Sequence, residues 1–266
     1  MNARKIRIIV DKEFDEIMKN KLVLSTLLLM PLMFALVIPA AMLLPAILSP
    51  DQIGGNDTLQ LTSHLPGAAN MSGQEAYIVF MLSAILPFFM MMPAILPTII
   101  SSYSVVGEKK NRTLEPLLAA PIAVEDILAG KAISALAPAL IGTWIAAAIF
   151  SIMVYLLTNN IVHRILVPDL TWLIGLFVLG PLVAFLGVMV TIVISSRVND
   201  PRTAQQVSVI LIVPIMAIFI GQMMGLFLID ETVILAICVV MLAADIVVVK
   251  IGSELFDREE ILTRWR

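Results

Sequence analysis

Six long apolar stretches, at residues 22–48, 76–103, 132–157, 172–194, 207–229 and 232–249, hold one charged side chain among them, Asp245. Each is long enough, at roughly 20 residues per crossing, to span the hydrocarbon of a bilayer. A chain inside lipid must satisfy its own backbone hydrogen bonds, and a helix does so within one segment. The pattern predicts an all-α integral membrane protein with six transmembrane helices. Overall the chain is 60% hydrophobic and 14% charged, against about 25% charged in soluble domains. The connections are shorter than the roughly 50 residues of a small folded domain, so a soluble catalytic domain is excluded. The expected organisation is a leader over 1–21, a transmembrane domain over 22–249 with an internal loop at 104–131, and a tail over 250–266.

Charge sidedness orients the spans. Of the 17 Lys and Arg residues, 16 fall on one side of a six-span arrangement, in the leader, the second and fourth connections and the tail; only Arg164 falls on the other. Basic residues accumulate on the cytoplasmic side of membrane proteins, so both termini and the loop 104–131 are expected in the cytoplasm of a multi-pass plasma-membrane protein. The first apolar stretch, 27 residues long, exceeds the 7–15 of a signal core and predicts a retained span. Cys238 is the single cysteine and lies in the sixth span, so no intramolecular disulfide forms.

In the leader, Ile6, Val10, Phe14, Ile17 and Lys21 recur at helical spacing, with Arg7, Lys12, Glu16 and Lys19 on the other faces. A basic amphipathic helix ending directly in a span is expected to lie in the membrane interface. The outer connection at 49–75 is rich in Gly, Asn and Ser and includes the glycosylation patterns Asn56-Asp57-Thr58 and Asn70-Met71-Ser72; that at 158–171 is shorter, and the last is a tight turn at Asp230-Glu231. The second span contains Pro87, Pro93 and Pro97. Proline removes an intrahelical hydrogen bond and kinks the helix, which makes this span a candidate for a moving, pathway-lining element. Proline is also simply common in membrane helices.

Between the second and third spans runs the segment GEKKNRTLEPLLAAPIAVEDILAGK, residues 107–131, where most of the charge in the middle of the chain is concentrated. A short amphipathic helix is expected from Thr113, ending before Pro121, and a further helical stretch from Glu125-Asp126. Asp200-Pro201 reads as an N-cap and first helical position. Gly221 and Gly225 form a GxxxG pair suited to close helix packing, within the chain or between subunits. Asp245, five residues before Lys250, is an intramembrane polar site, for a cation or proton or for pairing with a neighbouring helix. Met90-Met91-Met92 offers thioethers to a soft metal, but consecutive positions point around a helix, which suits flexible packing; no metal site or cofactor is expected. A phosphate-cradling loop needs Gly-x-x-x-x-Gly-Lys-Ser/Thr; Gly130-Lys131 is followed by Ala132 and has Glu125 at the first glycine's place.

The run Gly107-Glu108, Arg112-Thr113-Leu114-Glu115-Pro116-Leu117-Leu118, Pro121-Ile122 and Gly130-Lys131 resembles the signature of ABC type-2 transporter permeases. Lys12-Glu13-Phe14 and Lys19-Asn20-Lys21, the segment Ser195 to Gln206, and Phe256-Asp257-Arg258-Glu259-Glu260 extend the likeness along the chain. The resemblance implies the membrane subunit of an ATP-binding-cassette exporter. Two permeases, identical or sister subunits, pair above two copies of a separate ATPase. The loop between the second and third spans supplies a coupling helix, whose contact residues would be Glu108, Arg112, Thr113, Glu115, Leu117 and Leu118, with Glu125 and Lys131 at the margin. The leader would be the connecting helix. The G-type exporters of this class carry a sizeable external segment between the fifth and sixth spans, which Asp230-Glu231 leaves no room for.

The function expected is therefore export by a permease that hydrolyses no ATP itself, with a hydrophobic or amphipathic small molecule, lipid or peptide, or sodium, as cargo. An ion-gradient-driven secondary transporter is the alternative, but such proteins carry several polar groups in their spans, and here Asp245 stands alone. An integral membrane transferase needs clustered ionisable groups at one face, whereas His64 and His163 are isolated.

Overall fold

The computed structural model describes residues 3–49, 71–113, 122–162, 166–198 and 200–255, with no strand among them. Helix α1 (Ala3–Lys19) precedes six helical passages. The first joins α2 (Lys21–Leu32), a π turn (Met33–Val37) and α3 (Ile38–Leu48); the second joins α4 (Gly73–Phe89) to α5 (Met91–Lys110). The third is one helix, α6 (Val124–Thr158), and the fourth joins α7 (Leu170–Ile174), a π turn (Gly175–Leu179) and α8 (Gly180–Arg197). The fifth joins α9 (Pro201–Ser208), a 3-10 turn (Val209–Leu211) and α10 (Ile212–Met223), and the sixth is α11 (Glu231–Leu255). All six passages are long and apolar enough to cross a membrane, so the all-α, six-span expectation holds.

Helix starts follow capping chemistry. Asn20, Ser72, Asp169 and Asp200 each accept a hydrogen bond from a backbone N–H in the first turn of α2, α4, α7 and α9, satisfying donors that have no partner within the helix. Both π turns precede a proline by one residue, Ile38-Pro39 and Gly180-Pro181. In the fourth span the Gly180 N–H bonds to the Gly175 carbonyl, and Pro181 has no N–H to give, so the Leu176 carbonyl lacks a helical donor. The Trp144 indole N–H of α6 donates to it at 3.0 Å. A local defect in one span thereby fixes its packing on another.

The second and fourth spans form the middle of the bundle, with 72% and 56% of their most apolar windows buried, against 17–28% for the other four. They approach closely at Gly187, where a Cβ would meet the Ala94 carbonyl oxygen and Thr98 Cγ2, both at 3.1 Å. Aromatic rings fill the core beside them: Phe150 stacks on Trp172 at 5.0 Å, and Phe89 lies 5.5 Å from each. Pro87, Pro93 and Pro97 are all buried, and the second span breaks at Met90, between α4 and α5.

Helix α6 begins at Val124, so the helical stretch expected from Glu125-Asp126 and the third span expected over 132–157 form one continuous helix. Two elements differ from the sequence reading. The fifth span, expected to run to 229, ends at Met223. There Gly225 adopts φ 70°, the Leu226 N–H bonds back to the Gly221 carbonyl and the Gly225 N–H to that of Gln222, a left-handed helix cap that glycine adopts without strain. The last connection is therefore an irregular segment at 224–230 rather than a two-residue turn. Finally, α1 buries Ile9, Glu13 and Ile17, whereas Phe14, expected on the apolar face, is exposed. The face packed on the protein is rotated from the expected stripe because a carboxylate, Glu13, takes an inward position.

Candidate functional site

Glu13 can point inward because α1 lies directly on α6. A Cβ on Gly130 would sit 2.7 Å from Ile9 Cγ2, so the approach depends on glycine at that position. The neighbouring residue, Lys131, is 5% exposed and extends towards α1 and the end of the second span. Its Nζ lies 2.7 Å from Glu13 Oε1 and 2.8 Å from Glu108 Oε2, and donates to Ser104 Oγ at 2.8 Å. Glu13 and Glu108 are 1% and 3% exposed. Lys12 closes the cluster from the rim: its Nζ contacts Glu108 Oε1, 3.2 Å from Glu16 Oε1 and 3.5 Å from Glu13 Oε1.

The two buried carboxylates are thus met by Lys131 in the interior and by Lys12 at the rim; a buried charge left alone would cost several kcal/mol of lost hydration. The electrostatics follow from that balance. Burial works to raise the Glu13 carboxyl, but the Lys131 ammonium and its hydrogen bond outweigh it, so Glu13 is held below the usual carboxylate range. Burial likewise opposes charge on Lys12, yet Glu108 prevails and the amine is raised above the ordinary lysine value. The cluster joins three elements far apart in sequence: the leader helix, the last turn of α5 and the first turns of α6.

The remaining loop residues surround this joint. After α5 the chain turns at Arg112, which is exposed and holds φ 56°, a left-handed conformation costing a non-glycine residue about 1–2 kcal/mol. The Thr113 N–H donates to the Glu108 carbonyl at 2.9 Å, and its side chain is exposed. Glu125 is exposed in the first turn of α6, where a carboxylate complements the helix dipole. Glu115, Leu117 and Leu118, and with them the expected short helix, lie outside the described residues, as do the patterns at Asn56 and Asn70, His64, His163 and the tail beyond residue 255. Glu108, which the resemblance puts among the coupling residues, turns its carboxylate onto Lys12 and Lys131. Sequence reading also missed Glu13 and Lys12 as site residues. The available signal was Glu13 at helical spacing between Ile9 and Ile17, a carboxylate on a face that had to be packed.

The other candidates lie apart from the joint. Pro87 lines an apolar cavity of about 110 Å³ with Met90, Val183, Ile215 and Ile234, while Pro93 faces Gly180, whose missing Cβ would lie 3.8 Å from its ring. Gly221 gives its space to Phe227 of the same chain, 2.8 Å from where a Cβ would be, and Gly225 serves the cap rather than a helix–helix seam. Asp245 is buried on α11.

A family model described as ABC-2 family transporter protein matches residues 7–242, a stretch that includes most of α1, the joint, and the first half of the sixth span's helix. No curated protein matches the chain. Permeases of this family are membrane transporter subunits that associate with an ATP-binding subunit and are not themselves ATPases. With six apolar helices and a family match over most of its length, the chain belongs to the ABC-2 family of transporter permeases.

Proposed function

We propose that the chain is the permease subunit of an exporter, working as a dimer, and that the buried ion cluster is the joint through which a separate ATPase moves it. The observation that carries this reading is the convergence of Glu13, Glu108 and Lys131. The residues on either side of the loop, Glu108 and Lys131, are bound to each other and to α1, so a push on the loop is shared by the leader helix and by both spans that flank it. Charge sidedness supports a cytoplasmic position for this end of the bundle, and the exposed Phe14 and Met18 of α1 suit a helix lying in the membrane interface. Closing of an ATPase pair would then bias the helices between two arrangements, with the proline-broken second span at their centre.

The test is co-purification with its ATPase subunit and ATPase assay of the complex in proteoliposomes. Glu115→Arg with Leu117→Asp is expected to lower stimulated ATPase activity at least tenfold or to abolish the complex. Glu13→Gln is expected to keep the complex and its basal ATPase activity while transport falls. Unchanged activity in the loop variant, or no complex with the wild-type chain, would show the assignment to be wrong.

A further inference from the structure

Asp245 is 4% exposed, and neither of its carboxylate oxygens has a hydrogen-bond partner among the described residues. It lines an open groove of about 590 Å³ between the third, fourth and sixth spans, walled by Leu140, Leu182, Phe185 and Ile246. Lys250, about 7 Å further along the helix at 1.5 Å per residue, rims the same groove. Leu242 and Ile246 are half exposed on the outer surface of the bundle, so the groove is reached from the lipid side.

The chain treats its buried carboxylates in two different ways. At the joint, Glu13 and Glu108 are provided with lysines from within the protein. Asp245 is left with no donor, in surroundings where an unsatisfied carboxylate is strongly disfavoured. A ligand that brings its own positive N–H group would supply what is missing. A bare inorganic cation fits poorly, since a hard cation requires about six oxygen ligands and the walls are apolar. An anionic headgroup would be repelled, and a neutral hydrophobe would leave the carboxylate as it was. The volume lies within the roughly 300–1,000 Å³ of small-molecule sites.

We propose that this groove binds a hydrophobic monocation, an apolar body carrying one protonated amine, with the ammonium on Asp245 and the body against Phe185 and Leu182. As a binding site it does not depend on the coupling reading; as the cargo's chemical class it does.

Binding is measured on the full chain in nanodiscs, without ATPase, by fluorescence polarisation of rhodamine 6G. Saturable binding is expected, weakened at least tenfold in Asp245→Asn and also in Phe185→Ala. Dodecylamine should displace the dye, while dodecanol, equal in length but neutral, should not. Should Asp245→Asn fail to fold, the wild-type chain still decides, because rhodamine 6G should protect Asp245 from modification by dicyclohexylcarbodiimide, read by mass spectrometry. Equal affinity in Asp245→Asn, equal displacement by dodecanol, or absence of protection would each overturn the proposal. Since no ATPase is present, a negative result leaves the joint untouched, and a failed coupling assay leaves the groove untouched.

Discussion

Lys131 faces two carboxylates, and removing it leaves them buried with only Lys12 nearby. Breaking one partner out of a buried ion pair typically costs about 3–5 kcal/mol, whereas removing both partners together is far cheaper. Lys131→Met should therefore lower the melting temperature in detergent and expose the α1 junction at Asn20 to protease. Glu13→Met with Lys131→Met, which keeps the Lys12–Glu108 pair, should recover more than half of the loss; strict additivity of the two changes would mean that the ion pair does not couple them. The pH response follows from the shifts. Glu13 is depressed, so its contribution is present above the ordinary glutamate value near about 4.3 and is lost as pH falls through the lower folded value. Lys12 is raised, so its contribution is complete below the ordinary lysine value and disappears only as pH rises beyond it. Protease release of α1 should accordingly be flat through neutral pH and rise below about pH 4; release between pH 5 and 8 would contradict this account.

Among the elements, the spans are locked together by backbone defects as much as by side-chain packing. The carbonyl of Leu176, without a helical donor because of the π turn and Pro181, is satisfied by Trp144. Trp144→Phe keeps an aromatic ring but leaves that acceptor buried and unmet, at a cost of about 1–3 kcal/mol. Thermal unfolding of the purified variant would measure it, and a shift no larger than that of an exposed change such as Ile152→Val would show the bond to be unimportant. Element identity was legible in the sequence, since caps such as Asp200-Pro201 and the six apolar runs depend on nearby residues. One end was not. The fifth span continues apolar through Phe227, Leu228 and Ile229, so hydropathy gives no stop, yet the left-handed Gly225 ends the helix at Met223. Nor does composition reveal that Asp126 and Lys131, in the first turns of the third span's helix, are buried.

For the whole molecule, charge sidedness makes one prediction about topology. In a Cys238→Ala background, Asp15→Cys on α1 and Gly73→Cys at the start of α4 occupy exposed positions at opposite ends of the bundle. A membrane-impermeant maleimide added to intact cells should label Gly73→Cys and reach Asp15→Cys only after the cells are opened. The reverse pattern would invert the topology and remove the joint from the cytoplasm.

The sequence by itself determined the class of the protein, its six crossings, the sidedness of its charge and the loop at 107–131 as a place of interest. These are sums over neighbouring residues, because the transfer of an apolar helix into lipid is close to additive along the chain. The tertiary structure alone decided which charges meet. Lys131 and Glu13 are 118 positions apart and meet because Gly130 allows α1 to lie against α6, while Glu108 joins them through Lys131 and Lys12. Ion pairing falls off within a few ångströms and depends on the docking of whole helices, which no local pattern specifies. The same distinction applies to Asp245: its presence in a span was visible as a letter, but its place in a groove that offers it no partner came from the packing of three helices.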